Sequence, residues 1–367
     1  MSRDEAPGEL GPSLGSDPFT QGDGTLPYLI RLRERSLRMI AEAAPVELPH
    51  NGHGAREVPR EAPDLGPPVP ELPSFEDRDE SAGALDRLAG LLLTAGDEER
   101  LVQLGSFLGG RGYDEFGLSP RVTRRALAFF KLLYKYWFRV ESSGHDAIPE
   151  KEGAILAANH GGLLPFDATM IVCDGALAAK PARLVRTVVD RWAGTLPFVN
   201  VFYARVGQVV GSRDNVRELL RLKQLVLIFP EGMAGIKKRA AERYVLQPFH
   251  LGFVEESLRH RVPIVPVAVV GADDQAPVLW DLQPLAKLLG LPFFPITPTF
   301  PLLGPLGLLP YPVRYEIAYG EPFRFYDEYP PEALDDPHAV RYMAEQVKRR
   351  IQEMVDQRVL DRRARRA

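Results

Sequence analysis

At 367 residues the chain has room for two average domains or for one α/β domain with extensions, and 45% hydrophobic residues suffice for a substantial core. The net charge of −4 is unevenly placed: residues 1–80 carry sixteen acids against eight arginines, a net of −8, and the remainder is +4. One cysteine, Cys173, excludes an intrachain disulfide framework, and no zinc-spaced Cys/His cluster, Gly-x-Gly-x-x-Gly, phosphate loop or Gly-x-Ser-x-Gly occurs.

In chain order, residues 1–25 are rich in Gly, Pro, Ser and acid and read as disordered. Leu26 to Ala44 reads as a helix, and Pro45 to Glu80 as a Pro-rich acidic linker. Leu85 to Leu108 reads as one or two helices broken near Gly96-Asp97. Residues 1–110 are therefore taken as a largely disordered extension with short helices, and the folded body is expected at 111–330. Arg121 to Arg139 reads as an aromatic helix on which Lys131, Lys135 and Arg139 form one basic stripe. Such a helix suits a bilayer interface, and equally a core helix whose stripe faces water.

Ala154 to Ala158 is an apolar run that predicts a buried strand ending at Asn159-His160. A polar cluster at the end of a buried strand is where active sites sit in α/β chains. His160 is the candidate general base. Gly161-Gly162 allows a sharp bend, Pro165 interrupts regular helix, and Asp167 can return to face the imidazole. A carboxylate on one ring nitrogen fixes the tautomer and frees the other to take a proton from an alcohol.

Ala168 to Leu177 then reads as a helix, Leu184 to Val189 as a β-branched strand, and Val216 to Leu225 as a helix. Leu225 to Phe229 and Pro263 to Val270 are near-continuous apolar strands of the kind buried on both faces, and Val313 to Tyr319 alternates like an edge strand. Leu288 to Val313 is 26 residues without a charge but holds seven prolines, too many for a transmembrane helix. It is expected to cover an apolar groove, to dip into an interface or to be a buried connection. Residues 331–367 end in a basic helix, read as a solvated tail or an attachment to anionic lipid. His145 reads as a turn residue beside Gly144 and Asp146, His250 as structural, and Cys173 as a small core residue. Interleaved helices and buried strands give an α/β fold with a mixed central sheet flanked by helices.

Four blocks in order resemble the glycerolipid acyltransferase superfamily: Asn159-His160 through Asp167, Gly207 through Arg213, Phe229-Pro230-Glu231-Gly232, and Val262 through Val267. The resemblance covers about residues 113–325. It implies that His160 deprotonates an acceptor hydroxyl and that Asp167 orients it. It implies further that Phe229, Pro230, Glu231 and Gly232 line the acceptor pocket, with Glu231 positioning glycerol-type hydroxyls, and that Arg213 meets an acidic group. The Val262 to Val267 strand would lie near the acyl chain. An acyl thioester is already activated, so this chemistry needs no cofactor, only acyl-CoA or acyl carrier protein as co-substrate.

Two departures shape the expectation. The family's common His-x4-Asp is here His-x6-Asp, a longer spacing that resembles the mono- and diacylglycerol acyltransferase branch. After Glu231-Gly232 the chain continues Met-Ala-Gly-Ile-Lys-Lys where phosphate-using members have Thr-Arg-Ser. Lys237 or Lys238 would have to substitute, and a lysine is a point charge where an arginine is a planar fork. A neutral lipid alcohol is therefore the expected acceptor, a phosphate-bearing one the alternative, and a non-catalytic lipid-binding protein the rival of another class. No basic-then-apolar signal opens the sequence, so the expected place is the cytoplasmic face of a membrane.

Overall fold

The computed structural model describes residues 83–105, 113–291 and 293–365, and the readings made for residues 1–82 lie outside them. In chain order the elements are α1 (Ala84–Leu92), α2 (Ala95–Gly105), α3 (Pro120–Leu132), β1 (Glu141–Ser143), β2 (Ala154–Ala158), α4 (Phe166–Leu177), β3 (Val185–Val189), α5 (Arg191–Thr195), α6 (Val199–Arg205) and β4 (Val209–Val210). They continue with α7 (Arg213–Arg221), β5 (Leu225–Ile228), α8 (Met233–Ile236), α9 (Gly252–His260), β6 (Ile264–Val270), β7 (Trp280–Asp281), α10 (Gln283–Leu288), β8 (Pro295–Ile296), β9 (Glu316–Tyr319), α11 (Phe325–Glu328) and α12 (Pro337–Ala364).

Seven strands form one sheet in the order β1-β9-β6-β2-β5-β3-β4. The five from β6 to β4 run parallel, and β9 pairs antiparallel with β6 while β1 runs parallel to β9. Central strands covered on both faces must be apolar throughout, and β2, β5 and β6 are fully buried along their length. Side chains alternate between two cores. Leu156, Leu227 and Val267 face α3 and α4, whereas Ile155, Val226 and Ala268 face α7, α9 and α12. Each large apolar side chain buried this way contributes about 1.5–3 kcal/mol. Strand β9 is not an edge, because Glu141 to Ser143 pairs outside it.

Four further expectations change. The body reaches back past residue 111, since α1 and α2 seat Ala89, Leu93 and Leu104 against α3 and the core. The break between them falls at Thr94, where a reciprocal cap forms: Thr94 N–H donates to Asp97 Oδ2 at 2.7 Å and Asp97 N–H to Thr94 Oγ1 at 3.3 Å. These two helices also neutralise the cationic face of α3. Lys131 pairs with Asp97 at 2.5 Å, Arg125 with Asp86 at 2.5 Å, and Arg124 with Glu98. Of the expected stripe, Lys131 is thus engaged within the protein, while Lys135 and Arg139 remain exposed. The basic end of α12 is likewise not a free tail: Arg362 and Arg365 reach the buried Glu316 at 3.3 and 2.7 Å. Among the described residues no helix is long and apolar enough to cross a membrane.

Candidate active site

The site lies where the chain leaves the C-terminal ends of the adjacent strands β5, β2 and β6. From β2 the chain departs towards β3 on one side, and from β5 it returns towards β6 on the other. A crevice opens at such a reversal.

Beyond β2, Asn159 is locked to β6 by two hydrogen bonds: its Nδ2 donates to Val269 O at 2.9 Å and its Oδ1 accepts from Val269 N–H at 2.7 Å. This amide extends the strand pairing by side chain, and so sets where His160 begins its turn. The His160 N–H then donates to Glu231 Oε1 at 2.8 Å. Its ring nitrogen Nδ1 lies 2.5 Å from Asp167 Oδ2. The same oxygen accepts from Gly161 N–H at 3.1 Å, and Oδ1 accepts from Ala168 N–H at 2.7 Å. Asp167 stands in the first turn of α4, after Pro165 at the cap, where the helix dipole favours a carboxylate. Helix α4 therefore starts two residues earlier than Ala168.

The two glycines of the loop serve close approach as much as bending. A Cβ on Gly161 would stand 2.3 Å from Asp273 Oδ1. One on Gly162, whose φ is +79°, would stand 1.9 Å from Gln275 Nε2. Gln275 in turn donates to Leu164 O at 2.9 Å and accepts from the Tyr315 hydroxyl at 2.7 Å, closing the far side of the loop.

With Nδ1 held by the carboxylate, Nε2 is the ring nitrogen left for substrate. His160 stacks on Phe229 at 4.0 Å between ring centroids and lies on the wall of a cavity of about 640 Å³. That wall is mostly apolar, with Leu127, Phe130, Leu164, Phe202 and Ile236 among its residues. Thr187, Arg191, Gln208 and His250 supply polar groups.

Phe229, Pro230 and Gly232 line this cavity. Glu231 does not. It is 1% exposed, and its carboxylate is spent on the His160 N–H, on Gln247 N–H at 2.6 Å and on Lys238 at 3.6 Å. It braces the histidine loop from behind, which corrects the expected contact with acceptor hydroxyls. Arg213 is not on that wall either: its guanidinium pairs with Glu255 of α9 at 3.0 Å. Lys237 lies 6.0 Å above the ring of Phe293, a wall residue. Lys238, its neighbour, is buried. His250, read as structural, faces the cavity beside Gly232. Cys173 also reaches the wall, and burial pushes its thiol well above the usual range. The Val262 to Val267 strand is core, paired with β2 and packed on both faces. Among the described residues no group of three or more His, Cys, Asp or Glu side chains is arranged to hold a metal ion.

Comparison with known proteins adds the family. Residues 139–270, which include the histidine loop and strands β1 to β6, match the acyltransferase family. An uncharacterized protein of Mycobacterium tuberculosis is 40% identical over 255 residues, 67% of this chain and 69% of that protein. One of Mycobacterium leprae is 38% identical over 242 residues, 65% of this chain and 66% of that protein, so the chain spans about two thirds of these relatives. The crystal structure of a 1-acyl-sn-glycerophosphate (LPA) acyltransferase, PlsC, from Thermotoga maritima is similar over 74% of this chain and 92% of that one, with TM-score 0.42 and 18% identity. The matched domain and the 40% identity across more than two thirds of the tuberculosis protein together show that the chain belongs to the acyltransferase family.

Proposed function

We propose that the protein moves a fatty acyl group from a thioester, acyl-CoA or acyl carrier protein, onto a hydroxyl of a glycerolipid or related lipid alcohol, at a membrane surface. The observation that carries this reading is the 2.5 Å contact between His160 Nδ1 and Asp167 at the wall of a large apolar cavity. Asp167 holds the tautomer, so Nε2 takes the proton of the acceptor hydroxyl as its oxygen attacks the thioester carbonyl. The tetrahedral oxyanion collapses, the C–S bond breaks, and the leaving thiolate takes the proton back from the imidazolium. Cavity walls that align the acyl chain and the acceptor lower the barrier by making the encounter unimolecular.

A neutral acceptor is supported by Arg213 being engaged with Glu255 and by the mostly apolar wall. A phosphate-bearing acceptor is the second reading, favoured by Arg191 and His250 on that wall. Membrane docking is supported by the uncharged segment 288–313, which leaves Leu302, Leu306 and Leu309 exposed at 86%, 71% and 60%. Its Pro310 carbonyl accepts from Trp137 Nε1 at 3.2 Å, which adds an interfacial aromatic beside the exposed Lys135 and Arg139. Within the same segment Phe293 reaches the cavity wall, so lipid held there would lie next to the chemistry.

Purified protein with palmitoyl-CoA is expected to release CoA when monoacylglycerol or diacylglycerol is supplied, and to do so more slowly with lysophosphatidate. Release without any acceptor would indicate a hydrolase instead. His160→Ala is expected to abolish release with its circular dichroism unchanged, and full activity in that variant removes His160 from the reaction. Leu302→Asp with Leu306→Asp should weaken binding to anionic vesicles while leaving the fold intact.

A further inference from the structure

Behind the histidine loop lies a buried group of charges that acid–base chemistry at Nε2 does not use. The side chain of Lys238 is 2% exposed, and its ammonium stands 3.6 Å from Glu231 Oε2 and 3.6 Å from Asp273 Oδ2. Neither contact is a hydrogen bond, and Nζ has no hydrogen-bond partner among the described residues. A buried cation kept at this separation from two carboxylates acts through its field.

Both carboxylates touch the loop that carries the base. Glu231 Oε1 accepts from the His160 N–H at 2.8 Å, while Oε2 accepts from Gln247 N–H at 2.6 Å. Asp273 Oδ2 accepts from Tyr244 N–H at 2.7 Å, and its other oxygen lies so close to Gly161 that a Cβ there would come within 2.3 Å. The third wall of the loop is Gly235, where a Cβ would stand 2.7 Å from His160 Cβ. Burial pushes the Asp273 carboxyl up, and Lys238 opposes that push. Without the ammonium, two buried carboxylates would face one another across the back of His160, and one would have to take up a proton or move.

We propose that Lys238 is a positioning residue for the general base: as counterion to Glu231 and Asp273 together, it keeps both carboxylates clamped on His160 and Gly161 and so aims the imidazole into the cavity. The proposal rests on the reading of His160 as base. It concerns the segment just after Glu231-Gly232, where Lys237 or Lys238 would have to substitute for a phosphate-clamping arginine; the Lys238 cation faces inward, onto the loop.

Lys238→Met keeps the stem and removes the charge. With palmitoyl-CoA and monoacylglycerol, kcat should fall about 10²-fold, the effect of displacing a reacting group by about 1 Å. KM for palmitoyl-CoA should stay unchanged, because no wall residue has been altered. Adding Asp273→Asn returns the buried charge to its native sum and should recover at least about tenfold of that loss, and Lys238→Arg should stay within about tenfold of the parent. In crystals of Lys238→Met the contact of 2.5 Å between His160 and Asp167 should lengthen. Unchanged kcat in folded Lys238→Met overturns the proposal. So does a loss that neither Asp273→Asn nor the arginine variant relieves, since that marks simple packing. If Lys238→Met does not fold, the double variant decides alone: kcat within about tenfold of the parent supports the proposal, and a drop of about 10²-fold or more overturns it. His160→Ala in the same assay separates the two claims. Activity there defeats the general-base reading and this proposal with it, whereas an inactive His160→Ala beside a parent-like Lys238→Met defeats this proposal only.

Discussion

Helix α4 presents two aspartates two turns apart, Asp167 and Asp174, and each holds a histidine brought in from outside the helix. His160 Nδ1 lies 2.5 Å from Asp167, and His145 Nε2 lies 2.8 Å from Asp174. By ring, carboxylate and burial of the acid the pairs are close relatives, about 10 Å apart along the helix. Their other contacts differ. Asp167 spends its remaining capacity on two backbone N–H groups, which fix a loop, and its histidine reaches a cavity. Asp174 accepts from the Tyr134 and Tyr319 hydroxyls, both at 2.7 Å, and so ties α4 to β9 and to the turn that follows α3. Burial, reinforced by Asp174, pushes both phenols up and keeps them as donors. A carboxylate-bound imidazole is a common unit; the open space beside its second nitrogen makes one pair a candidate catalyst and leaves the other a brace.

The contrast breaks most visibly at the histidines. His160→Ala should cost about 10²–10⁴-fold in kcat with an unchanged melting temperature. His145→Ala should do the reverse, lowering the melting temperature and leaving kcat of the folded protein within about twofold. A large loss of turnover in folded His145→Ala would erase the distinction. At the acids the difference is smaller but still clear. Asp174→Ala strands two buried hydroxyls and an imidazole, and should destabilise by about 3 kcal/mol in urea unfolding. Asp167→Asn should keep most of the stability and lose activity, because the amide can present its N–H to Nδ1 and favour the wrong tautomer. Equal stability losses in the two variants would argue against separate roles.

Much of the His160–Asp167 pair was legible in the sequence because its parts are local. His160 and Asp167 are seven residues apart, the glycines between them are visible, and the buried strand before them is all apolar. The brace was not legible: Asp174 draws its partners from positions 134, 142, 145 and 319, and no short-range pattern joins them. The same reason applies to Lys131 and Arg125 on α3, which look free until acids some 30 to 40 residues upstream fold onto them. Glu231 was placed at the right loop with the wrong orientation, since which side of a turn a carboxylate faces depends on the backbone N–H groups of His160 and Gln247. His250 followed no periodic signal at all. It faces the cavity because its N–H bonds Pro230 O at 2.9 Å, a contact that only the folded chain makes.

The finest separation between the two pairs is their dependence on pH. The hydrogen bond to Asp174 raises the His145 pKa above its ordinary 6.5, against a smaller opposing effect of burial. A group whose folded pKa is raised stabilises the fold fully below its unfolded pKa, and that contribution is lost as pH rises through the folded value. Asp174 acts at the other end: burial works to raise its pKa, but the hydrogen bonds from His145, Ser142 and Tyr134 together hold it below the ordinary 3.8. Its contribution is therefore present above the unfolded value and lost as pH falls through the lowered one. The brace is strongest between these limits, on the acid side of neutrality. Thermal melts of the parent and of His145→Gln should differ most near pH 5 to 6, about where the free imidazole is still protonated, and converge on the alkaline side. The ratio of their kcat values should stay flat over the same range, because His145 lies off the cavity wall that His160 faces. A stability gap that widened with pH would mean that His145 stabilises as a neutral ring, and the pairing with Asp174 would then be a hydrogen bond without charge.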